Sequence, residues 1–199
     1  MGLHIHSLAE LPENVARDYY IYLLDCGWEE PLSRALRQNF QMMAGLSSRH
    51  DAVTIAGTEL GHFSNEVFSY HSINGLSADE VLPAILITNE HPAKFRASAD
   101  GAAKPGDRNS GYRADMKMVL LPLKKFCKTE TDVVNLIQLI FKDIKADEEI
   151  GNFKVTREIK AGPFDRIYDA LILEIKVMGL GINIKKLLTP FFKPNIANS

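Results

Sequence analysis

Short, almost continuous apolar runs recur along this chain. Tyr19–Leu24 is a β-prone run that ends at the turn sequence Asp25-Cys26-Gly27, and similar runs occupy Ala84–Thr88 and 117–123. A strand that is apolar on both faces is typical of a sheet covered on both sides. The runs therefore predict an α/β domain with helices packed on an interior sheet.

Between these runs, apolar residues at helical spacing predict the helices that cover the sheet. Apolar residues recur every three or four positions over 32–46, where Pro31 suits the first helical position. Thr129 is predicted to cap a second helix, whose apolar stripe extends from Val133 to Ile144. A further strand is predicted at 52–56.

Other segments give weaker patterns. We expect 59–74 to be irregular or to contain a strand at 66–70, 77–80 to start a helix with a capping box, and 97–114 to be a surface loop. Two more strands are predicted at 152–160 and 171–177. The chain is thus divided into an α/β core, residues 1–150, and a C-terminal β extension with a tail, residues 151–199, packing on the core or a partner.

The order of these elements resembles that of thioredoxin-like domains over residues 19–145. The shared order is strand, turn with Cys26, helix, strand, Pro83 before a third strand, fourth strand and closing helix. The resemblance implies a mixed sheet flanked by helices, with Pro83 in the cis form, facing a Cys-x-x-Cys motif at the start of the first helix. Here the sequence from Cys26 reads Cys-Gly-Trp-Glu, so Glu29 stands where the second cysteine belongs.

Composition excludes several classes of function. The chain has 199 residues, 23 Lys and Arg against 25 Asp and Glu, and a net charge of -2, with no dominant basic block, so nucleic-acid binding is not indicated. The two cysteines form neither a zinc motif nor a disulfide framework. Without a secretion signal or an apolar span, the sequence predicts a cytoplasmic protein that does not enter the membrane.

Candidate chemical groups are sparse, and the sequence predicts neither a metal site nor a cofactor. Cys26 near a helix start could be a reactive thiol, but the neighbouring acidic residues favour a buried structural cysteine. Glu174 and Lys176, with Asp165 or Asp169, resemble the acidic pair and Glu-x-Lys of restriction-type nucleases, and an amphipathic strand explains them equally. A last conceivable metal cluster comprises His62, His71, Asp51, Glu59 and Glu66.

The tail is more apolar than a free terminus normally is, and it includes Leu187, Leu188, Phe191 and Phe192. These four residues are predicted to contact a protein partner, although docking on the chain's own core is the alternative. The preferred hypothesis is a non-catalytic adaptor or complex subunit that binds a protein partner or forms a homo-oligomer. The rival hypotheses are a single-thiol redox or transferase enzyme using Cys26 and a metal-dependent nuclease using Glu174 and Lys176.

Overall fold

The fold was analysed in a computed structural model that describes residues 1–14, 16–27, 29–74, 81–99, 116–154, 171–174 and 182–183. The strands in these ranges are β1 Gly2–Ile5, β2 Tyr19–Leu24, β3 Ala52–Gly57, β4 Ile73–Asn74, β5 Ala84–Thr88, β6 Lys117–Pro122, β7 Leu171–Glu174 and β8 Ile182–Asn183. The helices are α1 Pro31–Gln38, α2 Phe40–Ser47, α3 Leu60–Tyr70, α4 Pro92–Ala99, α5 Leu123–Phe126 and α6 Glu130–Lys145. Two short 3-10 turns span Leu8–Glu10 and Ile150–Asn152.

Six strands form one mixed sheet in the order β1-β3-β2-β5-β6-β7. β1 and β2 both run parallel to β3, and β5, β6 and β7 follow with antiparallel pairing. β4 and β8 pair separately. The sequence-based prediction of an α/β domain with a mixed sheet flanked by helices is confirmed at this level.

Alternate side chains of the central strands enter two different cores. Ile21 and Leu23 of β2 pack in a first core with residues of α1, α2 and α6. Tyr20 and Tyr22 pack in a second core with residues of α3 and α4 and with Leu8 of the first 3-10 turn. Because both faces are covered, each of β2, β3 and β5 is buried along its whole length, which explains the unbroken apolar runs.

The element at Pro83 agrees with the sequence-based prediction. Pro83 is buried and directly precedes β5, and the Leu82–Pro83 peptide bond is cis. The antiparallel register pairs Leu24 of β2 with Ala84 of β5. The chain after Leu24 and the proline before Ala84 therefore lie at the same end of the sheet.

The predicted helix after Thr129 is also confirmed as α6. The Thr129 hydroxyl accepts the Asp132 N–H at 3.2 Å, and the Asp132 carboxylate accepts the Thr129 N–H at 2.9 Å. These reciprocal bonds form a capping box.

Two predictions about the middle of the chain are wrong in detail. The strand expected at 66–70 is part of α3, because Phe63 and Val67 are spaced by four residues and both face the core. The single helix expected over 32–46 is two helices separated at Asn39, whose side-chain amide donates to the Ala35 carbonyl at 2.7 Å. A side chain that bonds the preceding turn in this way competes with regular helix geometry.

Further differences concern the ends of the chain and its loops. β1 was not predicted, because its four residues include the exposed His4 and only one fully buried side chain, Ile5. Residues 97–99, expected in a loop, close α4, and Ile150–Asn152 is a 3-10 turn where the strand 152–160 was predicted to start. β7 confirms the first four residues of the strand predicted at 171–177. The expected capping box at 77–80, residues 100–114 and 155–160, and the tail from 184 onward lie outside the described residues.

Candidate functional site

The end of β2 carries a buried carboxylate held by charge and by hydrogen bonds. Asp25 is 2% exposed, and its Oδ2 accepts a hydrogen bond from Arg37 Nη1 at 2.6 Å. Oδ1 accepts the Gly27 N–H at 3.1 Å, a turn that Gly27 allows by adopting φ of 83°. The Ser64 hydroxyl of α3 accepts the Asp25 N–H and donates to the Asp25 carbonyl. This network holds the backbone of the turn that contains Cys26, the candidate thiol.

Cys26 lies in this turn, half-buried and without a disulfide partner. Its side chain packs against the second core, the one covered by α3 and α4. α1, by contrast, contributes Ala35 and Leu36 to the first core, on the other face of the sheet. The thiol therefore packs on the face of the sheet opposite α1, the helix that the reactive-thiol alternative required, and this agrees with the preferred structural interpretation of Cys26.

Ion pairs connect the start of α1 to neighbouring elements. Glu30, which precedes Pro31, lies 3.2 Å from Lys124 of α5, and Arg34 lies 2.9 Å from Glu130 of α6. Arg37 also approaches Glu29 at 3.6 Å. The acidic residues after Cys26 thus have basic partners and help to hold the helices together.

The second cysteine is a structural core residue. Cys127 is buried in the first core, and burial, followed by the negative charge of Asp132, raises the pKa of its thiol to about 11. It stays protonated at neutral pH, which agrees with the structural interpretation of this residue.

The conceivable metal ligands are not brought together. Asp51 pairs with Arg17 at 2.6 Å, and Glu66 accepts hydrogen bonds from the Ser7 hydroxyl and the Leu8 N–H. His62 is exposed on α3 and stacks on His6 at 5.9 Å, whereas His71 is buried. Among the described residues, no three His, Cys, Asp or Glu side chains converge as a metal site.

Within the described residues, the structure does not bring together the residues of the nuclease hypothesis. Glu174 is the last residue of β7, where its register partner is Lys117 of β6. Lys176, Asp165 and Asp169 lie outside the described residues. The predicted partner-binding residues, Leu187, Leu188, Phe191 and Phe192, lie outside them as well.

A buried group of histidine and tyrosine rings lies in the second core. His71 ends α3, donates from Nδ1 to the Val67 carbonyl at 2.8 Å, and is fully buried. Its ring meets Tyr22 edge-on at 5.1 Å and Phe95 at 4.7 Å. Burial lowers the pKa of His71 to about 4, and burial raises the pKa of Tyr22. Both side chains are neutral at pH 7.

A cavity of about 230 Å³ lies in the same layer, at the end of the sheet opposite Cys26. Its polar side chains are Arg17, Tyr20 and His91, and the rings of Tyr20 and His91 meet edge-on at 5.6 Å. Burial lowers the pKa of His91 and raises that of Tyr20. Perturbed titratable groups beside a mostly apolar cavity mark a candidate binding site.

Sequence reasoning did not identify this cavity. One indication of a polar site was present in the sequence, namely hydroxyl groups within otherwise apolar strands. Tyr20 and Tyr22 lie on one face of β2. Thr88, the last residue of β5, is the register partner of Tyr20. His91 follows that strand by three residues. The segment 11–17, which brings Leu11 and Arg17 to the cavity, has no pattern from which its position could be predicted.

A second cavity, of about 310 Å³, is polar and lies between the start of β2 and the end of α6. Its lining includes Asp18, Lys117 and Glu149, and the last two form an ion pair at 2.6 Å. The Tyr19 hydroxyl donates to the Glu148 carbonyl at 2.8 Å. These contacts join the segment that follows α6 to the sheet.

The fold and these sites define an α/β domain with a mixed six-stranded sheet between two helical layers. No protein-family model, curated protein or solved structure matches the chain. Among the helices in the described ranges, none has both the length and the apolar content to cross a bilayer.

Proposed function

We propose that this chain is a thioredoxin-like, non-catalytic adaptor or subunit of a cytoplasmic complex, and that it binds a protein partner. The observation that carries the proposal is the start of α1, which reads Pro31-Leu32-Ser33-Arg34. In thioredoxin-like domains the redox cysteines stand at the start of this helix. Here the position has no thiol, and Cys26 packs on the other face of the sheet.

The order of elements supports the thioredoxin-like part of the proposal. β2 leads through α1 and α2 to β3, and Pro83 opens β5 before β6 and α6. This order is the one that the resemblance implies. Ion pairs from Glu30 and Arg34 to α5 and α6 make the start of α1 a structural junction.

The partner-binding part of the proposal rests on the tail. β8 pairs in parallel with β4, where Ile182 is the register partner of Ile73, so the chain is attached to the domain just before the apolar residues. Five further residues reach Leu188, a span of at most about 17 Å. The partner would then be bound close to the end of α3. Burying the four apolar tail residues in an interface would stabilise it by roughly 1.5–3 kcal/mol each.

The proposal is tested with a charged tail variant and a matched control. The test variant carries Leu188→Asp and Phe191→Asp, and the control carries Asn195→Asp and Asn198→Asp, which add the same charge to the same tail. Each protein is isolated from its native cells by affinity purification, and co-purifying chains are identified by mass spectrometry. Light scattering of the purified protein detects a homo-oligomer.

We expect the test variant to lose a co-purifying partner chain while the melting temperature of the isolated variant matches that of the control. If the control is a homo-oligomer by light scattering, the test variant should be a monomer, and its melting temperature then falls because the association is lost. If the control is a monomer, a fall of several degrees in the melting temperature of the test variant would show that the tail belongs to its own core, since 1 kcal/mol shifts a domain of this size by about 2–4 °C. Retention of the partner by the test variant would equally refute the proposed contact.

A further inference from the structure

We propose that the cavity between β1, β3, β2 and the segment after the first 3-10 turn binds a small monocarboxylate with one aromatic ring or an aliphatic group of similar size. This inference goes beyond the proposed function and does not rest on it. The inference rests on the wall of the cavity, on two hydrogen-bond donors beside it, and on its volume.

The wall is mostly apolar. Leu3 of β1 and Val53 of β3 line it on the sheet, and Met1, Leu11 and Pro12 complete the apolar part of the lining. Tyr20 is the register partner of Val53, so its ring continues the same face of the sheet. A ligand that fills this space must be largely apolar.

Arg17 supplies the first donor. Its Nη1 donates to Asp51 at 2.6 Å and its Nη2 lies 3.6 Å from the Met1 sulfur, but the buried Nε–H has no hydrogen-bond partner among the described residues. The side chain lines the cavity and is 29% exposed as a whole. A buried N–H without an acceptor is unfavourable and gains from any acceptor that reaches it.

His91 supplies the second donor. Its Nδ1 accepts the Ala93 N–H at 3.2 Å, which assigns the ring proton to Nε2. The Leu11 carbonyl lies near this proton, but Nε2 makes no hydrogen bond of regular geometry to any residue that the structure describes. His91 is 7% exposed and neutral, so it donates without adding charge.

The Arg17 Nε–H without an acceptor and the His91 Nε2–H with only an irregular contact to Leu11 select an oxygen acceptor, and the guanidinium favours an anion. A carboxylate offers two oxygens and makes charge-assisted hydrogen bonds to arginine. We place the ligand carboxylate at the side of the cavity that Arg17 and His91 line. The volume of about 230 Å³ exceeds that of an engineered cavity of about 150 Å³ that holds benzene. One ring with a short carboxylate arm therefore fits.

The probe for this site is phenylacetate, with phenylacetamide as the neutral molecule of the same shape. Each is titrated into the full-length protein and followed by the amide shifts of Leu11, Val53 and Ala93 in two-dimensional NMR spectra. We expect saturable shifts of these amides with phenylacetate, and binding at least about tenfold weaker with phenylacetamide, the loss of roughly one charge-assisted hydrogen bond.

Two variants and one control test the location. Arg17→Lys keeps a positive charge beside Asp51 but removes the Nε–H, and should weaken phenylacetate binding about tenfold. Leu3→Trp fills the cavity and should abolish binding. Arg34→Lys makes the same change in an arginine that pairs with Glu130 far from the cavity, and should bind like the original protein.

Three results would overturn the inference. They are absence of saturable binding at millimolar phenylacetate, equal binding of phenylacetamide, and unchanged affinity in Arg17→Lys. If Leu3→Trp does not fold, as its spectrum would show, Arg17→Lys and the phenylacetamide comparison still decide the outcome.

Discussion

Arg37 of α1 donates a hydrogen bond of 2.6 Å to the carboxylate of Asp25, which is 2% exposed at the end of β2. Removing the arginine would leave a buried carboxylate without its charged partner. Such a loss is much more costly than the loss of an exposed pair. The relationship therefore gives a direct test of how the turn that contains Cys26 is held.

We predict that Arg37→Gln lowers the free energy of unfolding by about 2–3 kcal/mol, at the low end for buried pairs because Arg37 is itself partly exposed. Urea denaturation measures the change. The control is Arg34→Gln, which breaks the exposed pair with Glu130 and should cost less than about 1 kcal/mol. Equal losses in the two variants would contradict the assigned role of Asp25.

His71 gives a prediction about pH. Burial lowers its pKa in the folded protein to about 4, below the ordinary value of 6.5, so the unfolded chain binds more protons between these values. Stability due to neutral His71 is complete above pH 6.5 and is lost as the pH falls toward 4, by up to about 3 kcal/mol.

The matched variant for this prediction is His71→Gln, whose side-chain N–H can still donate to the Val67 carbonyl but does not titrate. The free energy of unfolding of both proteins is measured by urea denaturation at pH 7 and at a pH between 4 and 5. Burial also lowers the pKa of His91. Because His91 is present in both proteins, the comparison isolates the contribution of His71. We expect the difference in stability between the two pH values to be smaller in the variant. An identical difference would show that His71 is not buried in its neutral form.

Two glycines test the packing in opposite directions. A Cβ on Gly57 would overlap Phe63, which is fully buried, whereas a Cβ on Gly45 in α2 would meet no atom of the described residues within 4 Å. We predict that Gly57→Ala destabilises the protein by about 1–3 kcal/mol through overpacking. Gly45→Ala should stabilise it by about 0.5–1 kcal/mol, because alanine favours the helix. Thermal unfolding measures both, and a stabilising Gly57→Ala would refute the close contact of β3 with α3.

The class of fold was predictable because its signals are local. The unbroken apolar runs of β2 and β5 require cover on both faces, and the stripe from Val133 to Ile144 with the Thr129 cap defines α6 without any tertiary information. β1 and α3 were not predictable in the same way. β1 is short and partly exposed, and the β-prone residues 66–70 are helical because Phe63 and Val67 share one buried face.

The candidate cavity could not be predicted from the sequence, for a different reason. Its polar groups come from three separate segments, Arg17 before β2, Tyr20 within it and His91 after β5. Only the sheet register and the course of residues 11–17 bring them together. The face of the sheet on which Cys26 packs was not predictable for a related reason. It depends on the geometry of the turn formed by Asp25 and Gly27.

The two cysteines should differ sharply in reactivity. Cys127 is 4% exposed and has a pKa of about 11, whereas Cys26 is half-buried in a turn. At pH 7 an aromatic disulfide reagent should modify one thiol of the folded protein, and two after unfolding in urea. Rapid modification of two thiols in the folded protein would contradict the burial of Cys127.

Cys26→Ser should remove the accessible thiol. Because that side chain is a small packing group, any activity of the protein should stay within a few-fold of the original. Loss of activity in a folded Cys26→Ser protein would instead favour the thiol-dependent enzyme over the adaptor.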